Sequence, residues 1–288
     1  MLIGRQRELH QLREYIARHR HTLVVGPVGI GKTALLRAAV EQAPRVVVIA
    51  HIAPFRQALL SVAQQLQAQG RLVLPETDTA YLDWSEIKPH LSHLTTSEFV
   101  KTLAPVLCET IVVIDDVAGM TPTIGKLLEP FFETSLIIGA ITTIESTGEL
   151  LPFFWHFQLL PLGPLSREHA KMLLWSRIDR TRLPDAECFE THALDVANGN
   201  PLAIVELVRQ ASRQPLQDPA EIKALTHDAG IRYVDLTPML LIIGACAVAV
   251  RFLALGLNDI GTYILAGIFG AFFLVSRFFL YRAMRKGA

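Results

Sequence analysis

Thr22-Leu23-Val24-Val25-Gly26-Pro27-Val28-Gly29-Ile30-Gly31-Lys32-Thr33-Ala34-Leu35-Leu36 sets the pattern G-x-x-x-x-G-K-[ST] between a short apolar run and the start of a helical one. Glycines let such a loop wrap around phosphates with its N–H groups turned inward. Lys32 can then reach the β- and γ-phosphates, and the Thr33 hydroxyl can serve a magnesium ion. Gly26, Pro27, Val28, Gly29, Ile30, Gly31, Lys32, Thr33 and Ala34, the next helical residue, form the expected nucleotide-binding stretch. ATP and Mg²⁺ are the expected cofactors.

A phosphate cradle needs a carboxylate near the metal's water shell. Thr110-Ile111-Val112-Val113-Ile114-Asp115-Asp116 supplies two at the carboxyl end of an apolar, β-branched run, which reads as a buried parallel strand. Open α/β sheets bind ligands at that end. Asp115 is the expected metal-side carboxylate, together with Thr33, and Asp116 the expected general base for the attacking water.

The chain has 288 residues, with 27 basic and 27 acidic side chains. Zero formal net charge offers no global field for nucleic acid or anionic lipid, so neither is an expected partner on that ground. Cys108, Cys188 and Cys246 are far apart and read as reduced packing residues, not as disulfides or a metal site. Residues 1 to 21 are charged and amphipathic, so no secretory signal is expected there. His90 and His93 have helical ligand spacing but no neighbouring cluster of further ligands, and read as solvated.

Apolar residues at Leu9, Leu12 and Ile16 mark a first helix within Arg5 to Arg20. Strands are expected at Thr22 to Val25, Arg45 to His51, Thr110 to Ile114, Leu136 to Ile141 and Trp155 to Leu159. Helices are expected from Pro54 to Leu66, from a Thr95 or Ser97 cap to Cys108, and over Leu127 to Glu133, with residues 71 to 93 a loop with short helical pieces. The alternation predicts an α/β fold with a doubly wound, parallel, five-stranded sheet over 1–162. From Leu165 the pattern is all-helical: a helix over Glu168 to Ile178, another through Ala186 to Val196 ended by Gly199, and a third opening at Pro201. A small helical domain over 163–213 is therefore expected, followed by a linker and juxtamembrane helix at 214–235.

This arrangement resembles the AAA+ and STAND superfamilies of P-loop NTPases, within them the archaeal-ATPase type, over about residues 2 to 212. Ile3-Gly4-Arg5 with Glu8-Leu9 is similar to an amino-terminal box whose backbone lies near the adenine, and Gly199-Asn200-Pro201 to a G-x-P motif whose proline packs near the base. The resemblance implies that Gly4, Arg5 and Pro201 contact nucleotide, that the helical domain is a lid, and that Thr142, beside Thr143, is the polar sensor next to the Walker B strand. Related ATPases often carry Glu where Asp116 stands, so turnover is expected to be slow. The strand before Ile144 lacks the arginine found in many STAND proteins. Between Asp116 and Leu136 the one basic residue is Lys126, leaving Arg167, Arg177, Arg180 or Arg182 as substitutes for an arginine finger.

Leu236 to Leu257 and Gly261 to Tyr281 are apolar stretches of about 20 residues each, long enough to cross a hydrocarbon core about 30 Å thick. The intervening turn has no Lys or Arg, whereas Arg282, Arg285 and Lys286 follow, so the spans 236–281 are expected to form an inner-membrane hairpin with both termini, including the 282–288 tail, in the cytoplasm. Arg277 can snorkel at the inner end. Arg251 either reaches outward toward Asp259 or lines a subunit interface or pore. Gly244, Ala245, Gly267 and Ala271 offer small faces for helix packing.

The expected function is a membrane-anchored ATPase switch controlling homo-oligomerisation and signalling to an unidentified cytoplasmic partner, in a setting of prokaryotic stress or phage defence implied by the resemblance. A nucleotide-retaining scaffold without turnover, or a DNA-remodelling regulator of the same fold, are the alternatives.

Overall fold

A computed structural model describes residues 2–74, 82–144, 150–183 and 185–213, with 221, 222, 225, 246, 248–250, 252–257, 260–267 and 270 beyond them. Five strands, β1 (Thr22–Val25), β2 (Val46–Ile49), β3 (Ile111–Ile114), β4 (Leu136–Ile141) and β5 (Gln158–Pro161), stand in the order β2-β3-β4-β1-β5, and every neighbouring pair is parallel. Side chains alternate between two cores along each central strand, which is why the strands read as continuous apolar runs. In β3, Val112 and Ile114 enter one core and Val113 the other.

The larger core is closed by α3 (Phe55–Ala68), α4 (Trp84–His93), α5 (Thr96–Val106), α6 (Pro122–Thr134) and the short α7 (Leu151–Phe154). The opposite face is covered by α1 (Gln6–Ala17) and α2 (Lys32–Val40), through Leu9, Leu12, Leu35 and Leu36. The helical unit consists of α8 (Arg167–Trp175), α9 (Ala186–Ala197) and α10 (Pro201–Arg213) around Phe189, Leu174 and Leu207. Ile222 is buried in that same core, and His192 bonds through Nε2 to the Leu225 carbonyl at 2.8 Å.

Local sequence explains most boundaries. Thr95 and Glu98 form a capping box at α5, with the Thr95 N–H donating to Glu98 at 2.8 Å. Ser166 and Asp185 cap α8 and α9 by accepting from His169 and Cys188 N–H. Four expectations change. The stretch read as loop contains a full helix, α4, opened by the Asp83–Glu86 capping box. Helix α6 begins at Pro122, under a Thr121 cap, and not at Leu127. The last strand begins at Gln158, because Trp155, 79% exposed, closes α7 instead. Cys108 is exposed in the turn after α5 and Cys246 is exposed, so neither packs a core; all three cysteines are free.

The chain divides into two compact units, 1–231 and 232–288. Most of the expected spans, including Gly244, Ala245, Arg251, Asp259, Ala271 and Arg277, and the whole 282–288 tail lie outside the described residues. Among the described residues no helix is long and apolar enough to cross a membrane. Those at 248–257 and 260–265 nevertheless include exposed Val248, Phe252, Leu253, Leu257, Ile260 and Leu265.

Strand β2 is an edge, and α3 occupies its open side. Gln65 accepts from Val48 N–H at 2.8 Å and donates to Val48 O at 2.7 Å, while Gln69 donates to Val46 O at 2.8 Å. These are the groups a further strand would seek. Gln65→Ala should lose about 1 kcal/mol of stability and aggregate faster on heating, read by thermal denaturation with light scattering; wild-type behaviour in both would refute the clasp.

At the amino end of β1, His21 accepts the Ile137 N–H on Nδ1 at 3.0 Å and meets Phe132 edge-on. Burial, with His156 nearby, lowers its pKa from the ordinary 6.5. The fold thus holds His21 neutral while the unfolded chain protonates it first. Its contribution is whole above the unfolded value and is lost as pH falls through the lowered folded one. His21→Asn keeps an acceptor and removes the titration, so its melting temperature should fall less than wild type between pH 7.5 and 5; parallel curves would contradict this.

Candidate functional site

The three strand ends that matter are neighbours. Val25 pairs in register with Ile141, and Ile114 with Gly139, so β4 stands between the loop leaving β1 and the acids leaving β3. Gly26 N–H still bonds to Ile141 O at 3.1 Å before the loop departs. Gly31 then takes φ +101°, a left-handed conformation that favours glycine, and α2 begins at Lys32. The first intrahelical bond runs from Leu35 N–H to Gly31 O at 3.0 Å. The amides of Lys32, Thr33 and Ala34 therefore precede the helical ladder and carry the positive end of its dipole, an anion-binding arrangement.

Lys32 folds over the loop, its Nζ donating to Gly26 O at 2.7 Å and Pro27 O at 3.0 Å. Burial pushes its pKa below the ordinary lysine value, and Asp116 and Asp115 act in the opposite sense. Thr33 Oγ1 donates to Asp115 Oδ1 at 2.6 Å, joining the first turn of α2 to the end of β3. A hydroxyl and a carboxylate are hard oxygen ligands of the kind magnesium takes, leaving its other positions to water and phosphate. The donor set fits that ion.

Asp116, half-buried, is the second acid after β3. Its Oδ1 accepts from Ala118 N–H at 2.9 Å, and its Oδ2 lies 3.7 Å from His51 Nδ1 at the end of β2. Thr142 follows Ile141, half-buried, and Thr143 is exposed.

The amino-terminal box is a strut. Arg5, 4% exposed, donates to Gly163 O at 2.6 Å, Ile30 O at 3.3 Å and Glu8 Oε1 at 3.1 Å, and its Nε is buried without a partner. It ties α1 and the phosphate loop to the connector between sheet and helical unit. Gly4 lies against His169 of α8. Pro201 opens α10, whose next residue, Leu202, donates its N–H to Gly29 O at 3.2 Å. Asn200, buried beside it, donates through Nδ2 to Val28 O at 3.0 Å. The structure thus gathers Gly4, Arg5 and Pro201 around the loop, and Asp115, Asp116 and Thr142 at the adjoining strand ends.

Sequence reasoning did not find Asn200 or His51 as site residues. An Asn before a helix-opening proline signals a cap, but a partner 172 positions away leaves no local trace. Of the substitute arginines, Arg167 pairs with Asp195 at 3.0 Å, and Arg180 lies over Trp175 and 3.6 Å from Glu190. His90 and His93 lie in the last turn of α4, and no group of three or more metal-ligating side chains occurs among the described residues.

Residues 1–135 match the AAA ATPase domain family. No curated protein matches the chain. Among solved structures, a Walker-type ATPase of Pyrococcus abyssi superposes with a TM-score of 0.54 at 15% identity, covering 90% of this chain and 77% of that one. A STAND protein with a tetratricopeptide repeat sensor from Pyrococcus horikoshii gives 0.47 at 18% identity, over 78% of this chain and 33% of its own. The RuvB Holliday junction branch migration motor of Thermotoga maritima gives 0.48 at 14% identity, over 80% and 73%. At 15% identity the first of these speaks for a shared fold alone. Loop, strand-end acids and sheet order are those of a P-loop fold, and the match to the AAA ATPase domain family lies over the part of the chain that carries the loop and the acids.

Proposed function

We propose that the protein is a Mg-dependent, slowly hydrolysing ATP switch whose nucleotide state controls its self-association and its action at a membrane. The observation that carries the chemistry is the 2.6 Å contact between Thr33 Oγ1 and Asp115 Oδ1, which sets a hydroxyl and a carboxylate side by side next to the phosphate loop. In this reading Thr33 and Asp115 hold the metal, and the loop amides with Lys32 hold the phosphates. Magnesium there would neutralise charge on the transferring phosphoryl oxygens. Asp116 orients the attacking water and accepts its proton, one Oδ1 being braced by Ala118 N–H. Thr142 reports phosphate occupancy from the end of β4.

Membrane attachment is supported by the two apolar stretches 236–257 and 261–281 and by the exposed Val248, Phe252, Leu253, Leu257 and Leu265 on them, since apolar surface of that kind is costly in water. A membrane-acting effector of prokaryotic stress or phage defence, assembled through these segments and answering a cytoplasmic partner, is the corresponding biological setting.

A second reading is an ATP-retaining scaffold. It is favoured by Arg167 and Arg180 being held by Asp195 and Glu190 within the helical unit, away from phosphate duty.

Steady-state turnover separates the two. Lys32→Ala and Asp116→Asn should each lower kcat/KM at least about 100-fold; equal rates in wild type and both variants would refute the hydrolytic assignment, and tight nucleotide without turnover would select the scaffold. For the anchor, the full chain should float with phospholipid vesicles and a chain ending at Ile231 should not. Equal flotation of both would remove the C-terminal segment from that role.

A further inference from the structure

Three consecutive carbonyls at the tip of the phosphate loop are held by donors from outside the loop. Val28 O receives Asn200 Nδ2 at 3.0 Å, Gly29 O receives the Leu202 N–H at 3.2 Å, and Ile30 O receives Arg5 at 3.3 Å. A peptide unit is planar and trans, so its N–H points away from its carbonyl. Holding the Val28 and Ile30 carbonyls therefore turns the Gly29 and Gly31 amides in the opposite direction, which is the polarity a phosphate-binding loop requires.

Two of the three donors belong to the helical unit, and Asn200 is built to transmit its position. While Nδ2 holds the loop, Oδ1 accepts from Leu202 N–H at 3.0 Å and Ala203 N–H at 3.5 Å, capping α10. The two ends of the carboxamide cannot exchange, because one faces a carbonyl and the other two amides. Helix α10 cannot leave the loop without breaking this bond. The fit is close: a Cβ on Gly29 would stand 2.7 Å from Leu202 Cβ and 2.8 Å from Asn200 Oδ1. Behind it, Gly199 O accepts the Leu165 N–H at 2.8 Å, and Arg5 holds Gly163, so the turn before α10 is fastened to the connector between the two cores.

We infer that Asn200 is a positioning residue for the nucleotide site: it sets the polarity of the phosphate loop from the helical unit, so docking of that unit and affinity for ATP are one coupled equilibrium. This inference rests on the proposed ATP binding. By reciprocity, a bound triphosphate must favour the docked helical unit by the same factor that docking favours the triphosphate.

The test uses the full chain, with ATPγS as ligand. Asn200→Asp keeps the cap oxygen for Leu202 and Ala203 but replaces the donor to Val28 with an acceptor. Asn200→Ser also retains a cap oxygen, on a side chain too short to bridge to the loop. For both, the thermal midpoint without ligand should stay within about 3 °C of wild type, because capping survives. ATPγS affinity should fall about 10-fold or more, since the loop carbonyl loses its donor. Wild type should also become resistant to proteolysis of the helical unit on adding ATPγS, and the variants should not. Wild-type affinity in either variant overturns the inference. So does an affinity loss accompanied by a matching fall in the midpoint, which would mark Asn200 as structural only. Failure of wild type itself to bind ATPγS would instead remove the ATP reading on which the inference stands.

Discussion

Parallel pairing of β1 with β4, and of β4 with β3, is the constraint on which the rest depends. Parallel strands end on the same side, so the loop after Val25, the hydroxyl of Thr142 and the acids after Ile114 all emerge at one edge of the sheet. Parallel strands also need crossovers, and the crossovers cover both faces with helices. A sheet buried on both faces carries few polar side chains within its strands. Polar chemistry is thereby confined to strand ends, where Asp115 comes within 2.6 Å of Thr33. Inserting β4 between β1 and β3 gives the loop and the acids the width of one strand in which to face each other.

One lysine and two aspartates share this edge. Lys32 is drawn into the loop, where burial lowers its pKa and the two aspartates oppose that effect. Its ammonium rests on the Gly26 and Pro27 carbonyls, whereas the Val28, Gly29 and Ile30 carbonyls are taken by Asn200, Leu202 and Arg5. The loop's backbone is thus polarised by residues drawn from the helical unit and the amino-terminal helix, as well as by its own lysine. Only a buried guanidinium can bridge Ile30 and Gly163 in this way, because its fork presents several donors in fixed directions. On the outer edge of β2, the Val48 N–H and the Val46 and Val48 carbonyls are taken by Gln65 of α3 and by Gln69, its C-cap.

Signals confined to a few neighbouring residues were legible. Caps at Thr95 and Ser166, the helix-opening Pro201 and the β-branched runs of β1 and β3 all act within one turn or one strand. Misreadings fell where a local signal was weak or pointed elsewhere. Pro89 and mixed polarity hid α4, although its Asp83–Glu86 box was present, and Ile87 and Leu91 are buried in the larger core. Trp155 and Phe157 have the aromatic character of strand residues, but Trp155 is exposed, the Phe157 ring packs against Phe132 of α6, and backbone pairing with β1 begins only at Gln158. Cys108 is expected to pack, yet the turn after α5 carries it outward.

The sequence by itself determined that a glycine-rich loop would join a strand to a helix, that two acids would close another buried strand, and that a helical segment would follow. Each of these follows from periodicity or from backbone freedom at glycine and proline, which need no distant partner. Only the tertiary structure decided that Thr33 meets Asp115, that Arg5 spans loop and connector, and that Asn200 grips Val28 from 172 residues away. Those contacts depend on strand order and on how two cores close against each other, and neither quantity is written in any local run of side chains.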